Sequence, residues 1–570
     1  MNDPTEEEKL SDTAEFILSK RFYKKGEDWK RLCERVASSI GEDDGQIEEF
    51  FNLLYHRIMI PNSPTLANAG IQAGQLAACF ILPLEDDPDL IMDSIRNTAI
   101  VHRSGGGTGF DLSRIRPSTS PSLSANDLLS GPISIMKLIN DTTEKIKRSG
   151  VRCGANMGVL RVDHPDIIDF IHAKAEDRSL TNFNISIAIS DDFMDAVVSG
   201  GHYNVIDPYS GNVTRLDANE IFGMICSNAW KTGEPGVCFI DRINKDNPVP
   251  HLGIFSSPNP CGEFYFLPFG SCNLGSLSLP RFLKQDGEKK NIDFWKLREA
   301  VKLSVRFLNR VIDVNRFPLP EIDDMAKRTR PIGLGVMGFA DLLTEMGIPY
   351  NSERAYKIAE ELIRFINEEG WRESERLGAE TGVFPEFRKE NRIMNKHVHP
   401  RNCQVTTIAP TGTIATLAGI SFGIEPLMAV AYRRRVLGAD IFEVNPIFVR
   451  IAKERGFYSE ELIEKISRVH SIQNIREIPE EVRRMFITAH DLTPEQHVRM
   501  QAAWQSHCDN AVSKTVNMPE DATTEDIKQV FLLAYRLNCK GVTVYRDRSR
   551  SDQVIVMAKG NEFGDMCRIC

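Results

Sequence analysis

The sequence contains little that would place the protein in a membrane, in a secretory route or on a nucleic acid. Its 570 residues include no apolar run approaching the roughly 18 residues that span a bilayer. The formal net charge is −10, which argues against a polyanionic partner such as DNA or RNA. The first residues are acidic and lack the apolar core of a signal peptide. We therefore expect a cytoplasmic protein whose partners are neither membranes nor nucleic acids.

Disulfide-framework spacing is also missing. The 12 cysteines are scattered along the chain, and in a reducing compartment such cysteines default to free thiols. Cys567 and Cys570 form one C-x-x-C pair at the end of the sequence. One pair falls short of a four-cysteine zinc site, so we predict no metal site and interpret the pair as a thiol-exchange group. The alternative is a disordered end with incidental cysteines.

Short apolar runs alternate with amphipathic helical patterns along most of the chain. Residues 405–408 are strand-like, whereas residues 355–377 have helical spacing. Alternation on this scale favours an α/β architecture. We expect an N-terminal helical segment over residues 1–60, a catalytic α/β domain over 61–546 and a flexible polar tail over 547–570.

Three cysteines stand in settings suited to radical chemistry. Cys261 lies in the run Asn259-Pro260-Cys261-Gly262-Glu263, Cys272 follows shortly after, and Cys79 lies far upstream. One thiol with a carboxylate two residues on, plus two thiols able to pair, is what a reaction needs when it requires both a radical and two electrons. Each cysteine taken alone would more often be a small buried residue.

Together these stretches resemble the ribonucleotide reductases, over about residues 60–545. The resemblance implies a ten-stranded α/β barrel with a central finger loop, and reduction of ribonucleotides, with diphosphates favoured, to 2′-deoxyribonucleotides for DNA synthesis. It implies that Cys261 is the thiyl radical, that Glu263 is the general base on the 3′-hydroxyl and that Asn259 holds substrate hydroxyls. Cys79 and Cys272 would supply two electrons by forming a disulfide in each turnover. The tail thiols Cys567 and Cys570 would reduce that disulfide again, using electrons from a thioredoxin-like protein.

The same resemblance implies a substrate site built from several stretches. Residues 409–414 form a glycine-containing turn between a strand-like and a helix-like segment, which suits a phosphate. Taken alone that signal is weak, and no Walker or Rossmann pattern is present. The residues implied to contact substrate are Ser63, Ala78, Cys79, Gly107, Asn259, Pro260, Cys261, Gly262, Glu263, Pro410, Thr411, Gly412, Thr413 and Ile414.

Residues 130–158 resemble the region in which relatives bind a deoxynucleotide effector at a dimer interface. Lys147, Arg148 and Arg152 suit an effector's phosphates and base, although a solvated helix end followed by a basic turn is the plainer alternative. Cys153 stands where an arginine is common. We expect a homodimer that is regulated by deoxynucleotides or ATP. Residues 1–60 leave little room for an ATP-cone module, so dATP is not expected to act as a general off-switch.

The C-terminal region distinguishes between radical generators. Class I reductases receive the radical from a metal-containing subunit through adjacent tyrosines, and none of the 11 tyrosines here are adjacent. Residues 507–517 and 541–547 instead resemble the dimeric adenosylcobalamin-dependent (class II) enzymes. No Asp-x-His-x-x-Gly motif offers cobalt a histidine, so the cofactor would keep its own base. The glycine-radical signature of class III is absent.

Two alternatives remain open at this point. One is a class I large subunit whose radical-generating partner is encoded elsewhere. The other is a catalytically inactive, nucleotide-binding regulatory paralogue. That second alternative predicts the loss of at least one of Cys79, Cys261, Glu263 and Cys272, and all four are present.

Overall fold

The computed structural model describes residues 9–71, 74–120, 131–147, 154–176, 179–287, 289–436, 439–549 and 555–556. The helices of these residues are α1 (Asp12–Arg21), α2 (Trp29–Ile40), α3 (Asp44–Tyr55), α4 (Ser63–Asn68), α5 (Pro88–Arg103), α6 (Pro132–Lys147), α7 (Ile167–His172), α8 (Asp191–Ser199), α9 (Ala218–Thr232), α10 (Ile240–Lys245), α11 (Phe294–Val314), α12 (Pro320–Thr329), α13 (Phe339–Glu345), α14 (Glu353–Thr381), α15 (Gly412–Ala418), α16 (Pro446–Glu454), α17 (Glu460–Ser467), α18 (Glu480–Met485), α19 (Pro494–Gln505) and α20 (Thr524–Arg536).

The strands are β1 (Met59–Pro61), β2 (Cys79–Ile81), β3 (Gly107–Asp111), β4 (Asn156–Arg161), β5 (Phe183–Ile189), β6 (His202–Ile206), β7 (Val213–Asp217), β8 (Gly236–Phe239), β9 (Ser257–Pro258), β10 (Tyr265–Phe266), β11 (Ser271–Ser278), β12 (Leu283–Asp286), β13 (Lys289–Ile292), β14 (Ile332–Met337), β15 (Ala431–Val436), β16 (Ala439–Val444), β17 (Thr515–Met518), β18 (Gly541–Arg546) and β19 (Ile555–Val556).

Helices α1 to α3 precede the main sheet, and each begins at a side-chain cap. Ser11, Asp28 and Asp43 each accept a hydrogen bond from a backbone N–H in the first turn of the helix that follows. The buried faces of these helices, for example Leu32 on α2 and Phe50 on α3, join the apolar cluster that also covers β1 and β11. This helical layer therefore packs on one side of the barrel described next.

Two parallel half-sheets form a closed ring. In the first half, β2, β3, β4, β5 and β8 pair in parallel in that order. In the second half, β11 pairs in parallel with β14, and β17 pairs in parallel with β18. Parallel bridges from Leu334 to Thr406 and from Ile408 to Val512 join these two pairs through the extended stretch 406–408.

The two halves run in opposite directions and meet at two antiparallel seams. One seam pairs β2 with β11, and the other pairs β8 with β18. Nine named strands and the stretch 406–408 thus give ten positions in the ring, while β1 pairs with the far end of β11. The ten-stranded α/β barrel that the sequence predicts is confirmed. Every residue of β11 and β14 is buried, as is typical of parallel strands covered on both faces.

The central finger loop is a short hairpin made of β9 and β10. Ser257 pairs with Phe266 and Pro258 with Tyr265, which leaves residues 259–264 as the loop at the tip. Strand β9 packs against β3 and β4 of the first half, whereas Tyr265 exchanges two hydrogen bonds with Asn510 of the second half. The finger therefore lies between both halves, inside the ring.

Close contact between the finger and the barrel wall requires glycine at one position. A Cβ atom built on Gly109 of β3 would lie 1.9 Å from the carbonyl oxygen of Pro258. No side chain fits in that space without moving the backbone of the finger.

None of the helices in the described part of the chain is both long and apolar enough to cross a lipid bilayer.

Candidate active site

The antiparallel seam between β2 and β11 places two thiols directly opposite one another. Cys79 and Cys272 are register partners across this seam. Opposed residues of an antiparallel pair have Cα atoms about 4.5–5.5 Å apart, which lies within the range that a disulfide spans. Both cysteines are in the reduced form, with exposed fractions of 5% and 0%. The pair can therefore be oxidised and reduced without rearrangement of the barrel.

Burial keeps the second of these thiols protonated. Desolvation raises the pKa of Cys272 well above its ordinary value, and the neighbouring Cys79 and Glu263 raise it further. A neutral thiol is the form that can donate hydrogen to a substrate. Cys272 is thus held in the form that can give up a hydrogen.

The finger tip presents one thiol outward and its neighbours inward. Cys261 is exposed, whereas Asn259 and Glu263 are 1% and 2% exposed. The Asn259 amide nitrogen lies 3.0 Å from the Cys79 sulfur, and its oxygen accepts a hydrogen bond of 3.1 Å from the Phe264 backbone N–H. Asn259 therefore links the finger to the buried thiol pair.

Three backbone carbonyls of the finger tip are held from opposite sides of the ring. The Asn184 amide on β5 donates to the Pro260 carbonyl at 2.7 Å. The Ser513 hydroxyl donates to the Cys261 carbonyl at 3.1 Å. The Glu263 carbonyl accepts from the Thr407 hydroxyl at 2.6 Å. These bonds fix the backbone of the tip while the Cys261 side chain stays accessible.

Several residues predicted to contact substrate come together beside the finger. Gly107 of β3 is the register partner of Cys79, and its N–H donates to the Ala78 carbonyl at 3.0 Å. A Cβ atom on Gly107 would lie 2.9 Å from Pro260. Ala78, Cys79, Gly107 and Pro260 thus form one continuous surface, for which contact with substrate remains a prediction.

The predicted phosphate loop opens helix α15. Thr411 caps the helix in the left-handed conformation, with φ of 58°, and its hydroxyl accepts a 2.7 Å hydrogen bond from the Gly423 N–H. Gly412, Thr413 and Ile414 form the first turn, after Pro410. Helix α15 packs against β1, and Ser63 starts α4 just after β1. The loop and Ser63 therefore lie on the same side of the barrel.

The remaining predicted residues fall at or beyond the limits of the described structure. Lys147 is the last residue of α6. Arg148, Arg152, Cys153, Cys567 and Cys570 lie outside the described residues. The effector site and the tail thiols therefore stay predictions.

Family models match almost the whole chain. The model described as the ribonucleotide reductase barrel domain matches residues 77–400 and 392–545, and the model described as the all-alpha domain matches residues 8–74. The chain belongs to the ribonucleotide reductase family. This confirms the resemblance drawn from the cysteine motifs.

Curated relatives support membership of the reductase family, and a solved structure supports the fold. A vitamin B12-dependent ribonucleoside-diphosphate reductase of Thermoplasma acidophilum is 45% identical over 96% of this chain and 72% of its own length. One of the same name from Mycobacterium tuberculosis is 42% identical over 97% of this chain and 82% of its own length. The class Id reductase alpha subunit of Actinobacillus ureae superposes with a TM-score of 0.80, covering 96% of this chain and 99% of that chain at 21% identity, which shows the fold.

Sequence reasoning missed a buried charge cluster behind this reductase site. The Lys514 side chain is fully buried, and its ammonium donates to the Glu425 carboxylate at 2.6 Å. It also lies 3.1 Å from His497 Nδ1. Burial and the Lys514 charge hold the pKa of His497 well below its ordinary value, so that this imidazole is neutral. Nothing in the local pattern around Lys514 distinguishes it from a solvated lysine.

The cluster connects the finger tip with the predicted phosphate loop. Lys514 follows Ser513, which holds the Cys261 carbonyl. Glu425 follows the segment whose Gly423 N–H bonds Thr411 of the phosphate loop. The ion pair therefore ties the segment that holds the Cys261 carbonyl to the segment that bonds Thr411 of the predicted phosphate loop.

We predict that replacing the three candidate active-site cysteines by serine blocks the reaction at two different stages. Cys261→Ser should abolish turnover and radical formation, because the O–H bond is too strong to stand in for the thiol. Cys79→Ser and Cys272→Ser should still form the radical but give no clean deoxynucleotide. Electron paramagnetic resonance and product analysis separate the two classes. The control is Cys226→Ser, a buried cysteine on α9, and multiple turnover by Cys261→Ser would contradict the assignment.

We predict that breaking the buried ion pair destabilises the protein more than removing both charges. Glu425→Gln leaves the Lys514 ammonium buried without its counter-charge, which costs about 3–5 kcal/mol. Glu425→Gln combined with Lys514→Met should recover part of that loss, since no buried charge remains. Thermal unfolding of the two variants measures the difference. Equal loss in both variants would show that the lysine charge is not the cause.

Proposed function

We propose that the chain is an adenosylcobalamin-dependent ribonucleoside-diphosphate reductase that makes 2′-deoxyribonucleotides at the finger of its barrel. The observation that carries the proposal is the position of Cys261 on a finger whose Asn259 contacts one member of an opposed thiol pair. A radical thiol beside a two-electron donor is the requirement for removing a ribose 2′-hydroxyl. Membership of the family and the vitamin B12-dependent relatives support the same conclusion.

The reaction would begin and end at Cys261. Its thiyl radical removes the hydrogen atom from the 3′-carbon, while the Glu263 carboxylate takes the proton of the 3′-hydroxyl. The 2′-hydroxyl then leaves as water, using a proton from the Cys79–Cys272 pair. The same pair supplies two electrons and its second proton, which give the 2′-carbon its new hydrogen, and closes as a disulfide. Glu263 returns its proton to the 3′-oxygen, and Cys261 returns the hydrogen atom to the 3′-carbon and is a thiyl radical again.

Burial and backbone hydrogen bonds would position the groups around the finger for these steps. Glu263 is almost fully buried, so its carboxylate would act in a site where water screens it little. The Glu263 backbone is fixed by Thr407 and by the Ala511 N–H at 3.0 Å, which limits where the carboxylate can reach. Asn259 would hold the substrate hydroxyls on the same side as Cys79. The surface formed by Ala78 and Gly107 would lie under the ribose.

The Cys261 side chain is accessible at the finger tip, where a radical-generating cofactor would have to approach it. Cys261 is exposed, and Gly262 and Ser513 beside it are half-buried, so these residues would meet a group that approaches from outside the finger. Adenosylcobalamin would supply the oxidising equivalent that removes the hydrogen atom from the Cys261 thiol. A thiol sealed inside the barrel would instead need a chain of redox side chains to reach it.

A second copy of the chain and nucleotide effectors complete the proposal. Helix α5, which packs on α6, carries Leu90 and Met92 with exposed fractions of 48% and 53%. The two side chains flank the buried Ile91, so an exposed apolar group stands on each side of the helix. We propose that α5 and α6 together form a homodimer interface, and that deoxynucleotides or ATP bind near the end of α6 through Lys147, Arg148 and Arg152.

The proposed setting is the cytoplasm, with a thioredoxin-like protein as the final electron donor. A reducing compartment would return the Cys79–Cys272 pair to the thiol form after each turnover. Cys567 and Cys570 would carry electrons from that donor to the Cys79–Cys272 disulfide.

We predict that the purified chain reduces ribonucleoside diphosphates with adenosylcobalamin and a small dithiol, under anaerobic conditions and without a second protein. Deoxynucleotide formation measured by chromatography checks this, with Cys261→Ser as the inactive control. Omission of adenosylcobalamin should remove the activity. Activity that appears only after a metal-loaded partner subunit is added would assign the chain to class I instead.

We predict that the protein is a homodimer when a deoxynucleotide is bound, and that different deoxynucleotides change which base is reduced. Light scattering gives the mass, and competition among the four ribonucleotides gives the preference. Leu90→Glu with Met92→Glu should shift the protein toward monomer, because charges are then buried at the interface. Val198→Glu on α8, also exposed, is the control. A monomer with effector-independent preference would refute this part.

A further inference from the structure

Among the described residues of the C-terminal tail, Ile555 and Val556 form a short strand. Residues 554–557 read Val-Ile-Val-Met within a largely polar sequence, and β-branched residues of this kind favour strands. Ile555 and Val556 form β19, which pairs antiparallel with β15. The partners are Arg434 opposite Ile555 and Arg433 opposite Val556. The tail is therefore tied to the body of the protein at this point.

Strand β15 offers the edge on which β19 forms. Its other edge pairs with β16 over six residue pairs, beginning at Ala431 and Val444. Tyr432 donates to the Glu443 carboxylate at 2.8 Å across this hairpin, and α17 packs on β15. An open edge of a braced hairpin is a template for an extended segment, since main-chain hydrogen bonds supply the affinity.

The hairpin reaches the predicted phosphate loop through Arg434. Its guanidinium donates to the Thr416 hydroxyl on α15 at 2.7 Å and lies 5.1 Å from the centre of the Phe422 ring. Thr416 is five residues after Thr411, a distance of about 8 Å along a helix. Phe422 precedes Gly423, which bonds Thr411. The strand that pairs with the tail thus contacts both segments that frame the loop.

The tether from β19 to the tail thiols is short. Cys567 lies 11 residues beyond Val556 (567 − 556), against 21 residues beyond Arg546 at the end of β18 (567 − 546). Eleven extended residues span at most about 36–40 Å. Effective concentration falls roughly as the −3/2 power of tether length, so anchoring at β19 would raise it about threefold from length alone.

We propose that the β15–β16 hairpin is a docking platform for the C-terminal tail, and that β19 forms on it by strand addition to deliver Cys567 and Cys570 to the mouth of the active site. This inference rests on the proposed role of the tail as the thiol carrier. One tail thiolate attacks the Cys79–Cys272 disulfide, giving a mixed disulfide and releasing one active-site thiolate, which takes a proton. The second tail thiol then displaces the other, so the tail is oxidised to a disulfide as the active-site pair is reduced.

The test removes the ladder hydrogen bonds of β19 and keeps both tail cysteines. Ile555→Pro with Val556→Pro deletes two backbone N–H groups, and in an antiparallel pair one of them points at β15. We expect turnover with thioredoxin to fall threefold or more, and turnover with dithiothreitol to stay unchanged because that dithiol reaches the disulfide directly. Ile555→Thr with Val556→Thr is the control, since threonine keeps the N–H and the strand preference and should retain the wild-type rate.

Hydrogen exchange reports the docking itself. Backbone amides of residues 431–436 should exchange faster in the proline variant than in the threonine variant. Unchanged exchange there, or a wild-type thioredoxin rate in the proline variant, would overturn the docking proposal.

A second pair of substitutions tests the docking proposal separately from the proposal that the tail is the thiol carrier. Cys567→Ser with Cys570→Ser should stop thioredoxin-coupled turnover while dithiothreitol still supports it. If that variant cycles with thioredoxin at the wild-type rate, the tail is not the carrier and the docking proposal falls with it. If the serine variant is inactive with thioredoxin but the proline variant is not, the tail is the carrier and only the docking proposal is wrong.

Discussion

The antiparallel seam between the two half-barrels is the constraint on which the rest of the site depends. Within either half all strands are parallel, but at β2 and β11 the direction reverses and Cys79 faces Cys272. A slip of one residue would turn one thiol to the opposite face of the sheet, because side chains alternate along a strand. The register of this seam therefore decides whether the protein can store two electrons. The contact of Asn259 with Cys79 then sets the finger relative to that register.

Hydrogen bonds from both halves of the barrel position the finger. Asn184 belongs to one half of the barrel, and Ser513 and Thr407 belong to the other. Each donates to a carbonyl of the tip, so no donor from one half alone could define its position. The buried Lys514–Glu425 pair extends the same arrangement to the predicted phosphate loop. Buried charges are expensive, and here they occur where two segments of the site must keep a fixed relation.

The sequence predicts the parts of this site well and their arrangement poorly. The α/β alternation, the thiol motifs and the glycine turn at Gly412 are local patterns, and the family resemblance supplies the barrel. The pairing of Cys79 with Cys272 joins residues almost two hundred positions apart, so it followed from the family resemblance and not from periodicity. Lys514 was missed because burial of a lysine depends on a partner, Glu425, that is distant in sequence. The strand within the tail was missed because an apolar run this short is ambiguous until an edge accepts it.

The space at Gly109 has a consequence for how this protein can evolve. A methyl group there would collide with the finger at Pro258, so the barrel wall tolerates only a hydrogen atom at that point. A survey of all substitutions, scored by growth alone, would place Gly109 beside Cys261 among the invariant positions. Yet Gly109 performs no chemistry, and its intolerance would reflect only how little room separates the wall from the finger. Invariance in this protein can therefore record the shape of the space around the finger as well as the reaction that takes place there.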